Sequence, residues 1–275
     1  MYKILEKKQL NSQVTALTID APFVARKVKA GQFVIIRIDE LGERIPLTVA
    51  DFDREKGTLT IILQAVGYTT KRLSALNVGD SIMDVVGPLG LPTEFGTPKK
   101  AIVVGGGVGC AIAYPQAKAL KGMGVKTDVI AGFRSKDIVI LEDEMRAVCD
   151  NYYITTDDGS YGEKGLVTEV LKRLIDNDEY DLVIAIGPLP MMKFVAKTTE
   201  PYGIRTIVSL NPIMIDGTGM CGGCRVTVGG EIKFACVDGP DFDGHLVDFD
   251  ELSRRNAFYR DEEAHICRMG EVKNG

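Results

Sequence analysis

The feature that most constrains the fold is an alternation of apolar runs and helical patterns over residues 98–210. Runs typical of buried strands are Ala101–Val104, Thr127–Ala131, Tyr152–Thr155, Leu182–Ile186 and Arg205–Leu210. Helical patterns lie between them, including Leu141–Cys149, Leu166–Ile175 and Pro190–Lys197. Strands that alternate with helices predict a parallel sheet with both faces covered. We therefore expect an α/β domain at residues 98–210.

Residues 1–97 have a different pattern, with short alternating or β-branched runs between polar, Gly- and Pro-containing turns. The clearest runs are Gln13–Ile19, Gln32–Ile38 and Gly57–Leu63. This pattern is typical of a small antiparallel barrel. A single helical turn is expected near Thr69–Leu76.

Residues 211–275 break the alternation. The stretch Asp216–Cys224 is too rich in glycine for the interior of a helix or strand. An acidic, aromatic-bearing tail follows from Asp238 to Glu263, and it is either a solvated surface or a docking element. The predicted fold class is thus β plus α/β: an antiparallel barrel, a parallel-sheet domain and a small C-terminal module.

Composition excludes several classes of function. The 275-residue chain has a formal net charge of −5, six Cys and two His. A nucleic-acid-binding protein normally has a basic face, so we expect no nucleic acid partner. No apolar run reaches the ~18 residues of a membrane span and no secretory signal is visible, so we expect no membrane and a cytoplasmic location. In a reducing compartment, cysteines predict metal ligands or buried thiols rather than disulfides.

The first strand of the α/β domain runs into a glycine-rich turn. Backbone N–H groups at such a turn, followed by a helix N-terminus, hold a pyrophosphate. The turn departs from G-x-G-x-x-G because Cys110 stands at the third position, but its place between a strand and a helix favours nucleotide binding. The candidate residues are Gly105, Gly106, Gly107, Val108, Gly109 and Cys110.

Further candidates follow later strands, and ligands bind at the carboxyl ends of strands in such sheets. Each of these turns alone is equally typical of an ordinary strand-to-helix connection. Arg134 is suited to a 2′-phosphate, which leaves NAD and NADP open. The candidates are Phe133, Arg134, Asp157, Gly187 and Pro188.

The C-terminal module concentrates cysteines. Cys221 and Cys224 share one glycine-rich loop, and a hairpin with a Gly229-Gly230 turn folds Cys236 back towards them. In the plant-type iron–sulfur pattern C-x4-C-x2-C, Asp216 takes the place of the first cysteine, and a carboxylate is a possible iron ligand. The alternatives are Cys267 as the fourth ligand, a zinc site that uses Cys267 or a histidine, and thiols without a metal.

Two other cysteines, Cys110 and Cys149, are expected to be small buried hydrophobic residues.

Two segments of the barrel are candidate flavin-binding elements. Arg44, Pro46, Leu47 and Thr48 form an extended turn, and Gly67, Thr69 and Thr70 begin a helical turn suited to a phosphate. A strand end and a helix cap explain the same residues about as well.

Over essentially its full length, the chain resembles the ferredoxin–NADP reductase superfamily. Arg44–Thr48 is similar to the flavin motif Arg-x-Tyr-Ser/Thr, although Ile45 stands in the usual Arg position and Leu47 in the aromatic one. The resemblance places Thr48 near flavin N5 and Gly67-x-x-Thr70 at a flavin phosphate. It assigns Gly105–Gly109 and Gly187-Pro188 to the nicotinamide nucleotide.

Two families in this superfamily share the layout. They are the electron-transfer subunits of dihydroorotate dehydrogenase, with four cysteines in the cluster loop, and the small subunits of NADH-dependent reduced ferredoxin:NADP oxidoreductases, also described as sulfide dehydrogenase subunits. The run Asp216–Val228 looks like the second family, in which Asp replaces the first Cys. Asp216, Cys221, Cys224 and Cys236 are then the cluster ligands.

The resemblance implies FAD, a 2Fe–2S cluster and NAD(H) as substrate, with electrons passing to a larger flavin and iron–sulfur subunit of an electron-bifurcating heterodimer. Ferredoxin would act only through that partner, and no side chain is expected to act as a general base. The alternatives are the dihydroorotate dehydrogenase subunit and, in another class, a zinc-stabilised nucleotide-binding regulator.

Overall fold

The computed structural model describes residues 1–259, 261–262 and 264–265. Its first sheet is antiparallel, with the strand order β6-β1-β2-β5-β4-β3-β7. Only Met83 separates the two edge strands in sequence, so the sheet curves until its edges nearly meet. The strands are β1 (Tyr2–Gln9), β2 (Val14–Asp20), β3 (Phe33–Arg37), β4 (Ile45–Asp53), β5 (Thr58–Gln64), β6 (Ser81–Ile82) and β7 (Asp84–Leu89).

Alternation of apolar residues fixes the register of this sheet. Leu17 of β2 lies opposite Ile61 of β5, and Ile19 lies opposite Leu59. All four side chains are fully buried, while the residues between them face outwards or are partly exposed. A slip of one residue would turn the apolar set to solvent, so the pattern specifies the pairing. The predicted near-barrel is confirmed.

Two helices accompany the first sheet: α1 (Pro22–Ala25) and α2 (Tyr68–Ala75). The second lies where a helical turn was predicted. The first was not predicted, because four residues are too short to show helical periodicity.

The second sheet is built from a strand–helix alternation. Its strands are β8 (Lys100–Gly106), β9 (Lys126–Phe133), β10 (Asn151–Thr156), β11 (Glu163–Lys164), β12 (Leu182–Ile186) and β13 (Arg205–Ser209), and they pair parallel. The helices are α3 (Cys110–Gly122), α4 (Glu142–Ala147), α5 (Val167–Asn177) and α6 (Leu189–Thr199). Separate apolar clusters lie on the two faces of the sheet, one with α3 and one with α5 and α6. The predicted parallel sheet with covered faces is confirmed.

The C-terminal elements are β14 (Arg225–Val228), β15 (Glu231–Phe234), α7 (Ala235–Asp238), β16 (Asp241–Asp243) and α8 (Phe249–Asn256). β14 and β15 pair antiparallel around Gly229-Gly230, which is the predicted hairpin. The order of the second sheet is β11-β10-β9-β8-β12-β13-β16, with β16 antiparallel to β13.

The interpretation of the tail from Asp238 as a solvated surface or docking element is wrong for two of its parts. β16 extends the main sheet, so its backbone is paired. In α8, Phe249 and Leu252 are buried in the same core cluster as Ile35 of β3. The acidic composition of this segment does not indicate buried elements, because only one face of β16 and of α8 is apolar. Residues 260, 263 and 266–275, with Cys267, lie outside the described residues.

In the part of the chain that the structure describes, no helix combines the length and apolarity that crossing a bilayer requires.

Candidate functional site

The glycine turn after β8 is pressed against the end of β12. A Cβ atom at Gly109 would lie 2.5 Å from the Ile186 carbonyl oxygen and 2.8 Å from Cα of Gly187. Gly107 has φ +56°, and a Cβ there would meet nothing within 4 Å. The turn is therefore tightly packed on one side and open on the other, which leaves backbone N–H groups free to approach a phosphate.

The other strand-end candidates gather at the same edge of the sheet. Asp157 N donates to the Phe133 carbonyl at 3.0 Å, so the turns after β9 and β10 are in contact. A Cβ at Gly106 would lie 3.0 Å from Cδ of Pro188, so the turns after β8 and β12 are in contact too. Arg134 and Asp157 are exposed, whereas Phe133 is buried.

Cys110 and Cys149 are both buried, as predicted. Burial raises the pKa of Cys110 to about 12 and that of Cys149 to about 11. Neutral thiols of this kind are inert. The backbone of Cys110, at the start of α3, is therefore the only part of this residue that is suited to bind a nucleotide.

In the barrel, Thr48 lies opposite Phe33, Leu47 opposite Val34 and Pro46 opposite Ile35 in the β3–β4 pair. All three candidates are partly exposed. Leu47 packs against the barrel core, so Pro46 and Thr48 lie on the opposite face of β4, outside that core.

The helical turn at Gly67 is capped by a side chain. Thr70 Oγ1 accepts from Gly67 N at 2.9 Å and from Val66 N at 3.1 Å. Thr69 is buried and donates to Glu43. The cap explanation is thus observed. The N–H groups of Tyr68, Thr69 and Thr70 precede the first hydrogen bond of the helix, which Lys71 N donates to the Gly67 carbonyl at 2.9 Å.

Arg44 does not point along the barrel surface towards α2. Its Nε donates to the Ile215 carbonyl at 3.3 Å, and a terminal nitrogen donates to the Asp216 carbonyl at 3.4 Å. A residue predicted for the flavin therefore contacts the loop predicted for the cluster.

The cysteine-rich loop brings two of its thiols into contact. Cys224 and Cys236 are buried, and their Sγ atoms are 3.2 Å apart. Cys236 N lies 3.5 Å from Sγ of Cys224 and donates to it. Burial, together with the hydrogen bond from Cys224, raises the pKa of Cys236 to about 12. Cys221 lies on the exposed part of the same loop.

The carboxylate of Asp216 is partly exposed and organises the loop. Its Oδ2 accepts from Thr218 N at 3.0 Å, from the Thr218 hydroxyl, and from Met220 N at 3.4 Å. The hydrogen bonds from Thr218 hold the pKa of Asp216 below its usual value, with a smaller contribution from the Arg44 charge. Asp216 is therefore an anionic oxygen donor.

The candidate cluster ligands are three thiols and one carboxylate. Within the described residues, no group of three or more His, Cys, Asp and Glu side chains converges on one metal position. A 2Fe–2S cluster needs a pair of ligands at each iron. Cys224 and Cys236 are close enough to serve as one such pair, and Asp216 and Cys221 lie on the preceding loop.

Known proteins are similar to this chain both in the cysteine-rich loop and over nearly its whole length. The model of the iron–sulfur cluster binding domain of dihydroorotate dehydrogenase B matches residues 211–248. The dihydroorotate dehydrogenase B (NAD(+)) electron transfer subunit homolog of Thermotoga maritima is 49% identical over 261 residues, which are 95% of this chain and 92% of the relative. The chain belongs to the family of these electron transfer subunits and their homologues.

Solved structures agree with this membership. One solved structure, on flavin-based electron bifurcation, is that of the NADH-dependent reduced ferredoxin-NADP oxidoreductase. A chain of that structure is 47% identical to this chain, with a TM-score of 0.94. The match covers 99% of this chain and 98% of that chain. The ferredoxin reductase in carbazole 1,9a-dioxygenase, at 19% identity and a TM-score of 0.62 over 74% of this chain and 64% of its own, shows the fold alone. The predicted ferredoxin reductase-like oxidoreductase with an iron–sulfur cluster is confirmed.

Sequence reasoning missed a buried polar junction between the three parts of the chain. Thr93 Oγ1 donates to Oδ2 of Asp241 at 2.5 Å, and Gln116 Nε2 donates to Thr93 Oγ1 at 2.7 Å. Burial raises the pKa of Asp241. Asp241 is one of many acidic residues in the tail, so no sequence signal distinguishes it.

Proposed function

We propose that this chain is the NADH-oxidising small subunit of a two-subunit, electron-bifurcating ferredoxin:NADP oxidoreductase, with one FAD and one 2Fe–2S cluster. The observation that carries the proposal is the contact between two predicted sites. Arg44, in the flavin segment, donates to the carbonyl of Asp216, in the cluster loop. Electron transfer requires cofactors that lie close together, and this contact brings their binding segments together.

The residues of the chain would divide into three binding sets. Thr48 and the first turn of α2 at Gly67 and Thr70 would hold the flavin, and the open face of the turn at Gly107 would hold the pyrophosphate of NAD(H). When bound, the flavin takes a hydride from the nicotinamide and the cluster carries single electrons.

For the cluster, Asp216, Cys221, Cys224 and Cys236 would be the ligands. The backbone N–H of Cys236 already donates to Cys224 Sγ, and that of Gly223 lies 3.5 Å from Cys221 Sγ and donates to it. Such hydrogen bonds to sulfur tune the reduction potential of a cluster. Positive-φ glycines at 217, 219 and 222 let the loop backbone turn closely around the site.

Arg134 offers a test of the choice between NADH and NADPH. Its side chain is exposed at the strand edge and suited to a 2′-phosphate, so Arg134→Ala would weaken NADPH binding selectively if NADP(H) were the natural substrate. We propose NADH, in agreement with the names of the family members.

A second candidate is the electron transfer subunit of a dihydroorotate dehydrogenase, favoured by the family of the 49% identical relative. Asp216 in place of a first cysteine favours the ferredoxin:NADP enzyme. The iron–sulfur family model at residues 211–248 supports neither a zinc site nor a regulator.

The proposal is tested by purifying the chain together with the proteins that the neighbouring genes encode. We expect a yellow-brown complex with a larger flavin and iron–sulfur subunit, in which NADH bleaches the flavin of this chain. A complex with an orotate-forming enzyme would replace the first candidate by the second. A colourless protein that contains zinc would refute both.

A further inference from the structure

The segment that carries Asp216 is fixed to the barrel by more than one contact. Gly217 has φ +83°, and a Cβ there would lie 2.9 Å from both Ile35 Cγ1 and Leu89 Cδ1. Ile35 belongs to β3 and Leu89 to β7. The backbone of the cluster loop thus lies directly on the barrel wall, with no space for a side chain between them.

Arg44 adds a second attachment of the loop to the barrel. It directly precedes β4, and its guanidinium donates to two successive carbonyls of the loop, at Ile215 and Asp216. A guanidinium presents its donors in a rigid fork, so two carbonyls on one backbone segment are held in a defined orientation. The loop cannot then move relative to β4 without breaking both hydrogen bonds.

The charge of Arg44 also lies beside Asp216, one of the proposed ligands. Cys221, Cys224 and Cys236 would bind iron as thiolates, and Asp216 is anionic, so the loaded loop concentrates negative charge. Reduction adds one more negative charge, which a nearby cation stabilises. A cation held at this position therefore favours the reduced cluster.

We propose that Arg44 is a positioning residue that fixes the Asp216 side of the cluster to the flavin-binding barrel and raises the cluster potential. This inference rests on the proposed function, because it requires the cluster. Arg44 is then not a flavin ligand, because its observed hydrogen bonds go to the cluster loop.

The test compares Arg44→Gln, Arg44→Lys and the control Arg54→Gln in the full protein. Arg54 is on the same barrel and donates to the Val28 carbonyl at 3.0 Å. Within the residues that the structure describes, it makes no hydrogen bond to the cluster loop. Flavin, iron and sulfide contents are measured first, and the cluster potential is then measured by a redox titration monitored by electron paramagnetic resonance.

We expect all three variants to retain flavin and iron. In Arg44→Gln the reduction equilibrium of the cluster should become about tenfold less favourable, which corresponds to about 59 mV for one electron. Arg44→Lys, which keeps the charge, should recover most of that shift, and Arg54→Gln should equal the wild type.

Two glycine variants test the contact itself. Gly217→Ala and Gly230→Ala impose similar backbone strain, since Gly230 has φ +80°, but a Cβ at Gly230 meets nothing within 4 Å. We expect Gly217→Ala to lose iron or to alter the resonance signal of the cluster, and Gly230→Ala to do neither.

An unchanged potential in fully loaded Arg44→Gln would overturn the inference and leave the proposed function intact. Loss of flavin from Arg44→Gln and Arg44→Lys, with the cluster potential unchanged, would assign Arg44 to the flavin and overturn it as well. A wild-type protein without iron would refute the proposed function first.

Discussion

Gly109→Ala tests the tightest contact of the nucleotide site. The new Cβ would lie 2.5 Å from the Ile186 carbonyl oxygen and 2.8 Å from Gly187 Cα. Both are backbone atoms, so neither can rotate away. Restoring ordinary van der Waals distance requires the turn after β8 and the end of β12 to separate by about 1 Å, and overpacking of this kind costs about 1–3 kcal/mol.

The turn and the end of β12 both carry candidate NAD(H) residues, so their separation should affect binding as well as stability. A displacement of about 1 Å between positioning groups can reduce a rate by about 10²-fold. We expect weaker NADH binding, flavin reduction at least tenfold slower in stopped-flow absorbance, and a melting temperature lower by about 3–10 °C.

Gly122→Ala is the matched control, because Gly122 ends the same helix α3 and a Cβ there meets nothing within 4 Å. Alanine is the better helix former, so this variant should keep NADH kinetics and gain up to about 1 kcal/mol of stability. If Gly109→Ala bound and oxidised NADH like Gly122→Ala, the assignment of this turn to the nucleotide would be refuted.

Two further predictions concern carboxylates. Asp216→Cys should retain a cluster with an altered visible spectrum and potential, because a thiolate replaces an oxygen ligand; an unchanged spectrum and potential would exclude Asp216 as a ligand. Burial raises the pKa of Asp241 above 3.8, so the folded state binds that proton more tightly than the unfolded state. The carboxylate therefore destabilises the fold above the raised pKa, and this cost disappears as the pH falls towards 3.8. We compare the free energy of unfolding of Asp241→Asn with that of the wild type in urea. The difference in favour of the variant should be larger at pH 7 than at pH 4, by about 1.4 kcal/mol per unit of pKa elevation. A difference that does not depend on pH would show that Asp241 is not the titrating group.

The elements that the sequence predicts best are those with strong local patterns. The runs that became β2, β5 and β12 alternate or are continuously apolar, and each was located within about two residues. The turn of the hairpin β14–β15 was located to the residue, because Gly229-Gly230 is a strong local turn signal.

What the sequence did not reveal depends on contacts between distant residues. β16 has three residues and becomes a strand only because β13 offers an unpaired edge. The hydrogen bond from Arg44 to Asp216 joins residues 172 positions apart, and nothing in the local pattern of either predicts it. The candidate ligands could be named from spacing, but the contact between Cys224 and Cys236 required the folded loop.

An anaerobic reductive titration of the purified chain tests the central claim most directly, with visible absorbance reporting the flavin and electron paramagnetic resonance reporting the cluster. The account predicts about three electrons per chain, two for the flavin and one for a 2Fe–2S cluster. It also predicts that Cys224→Ser loses the cluster electron while the flavin still takes two. Uptake of two electrons by the wild type, with no resonance signal from a reduced cluster, would contradict it.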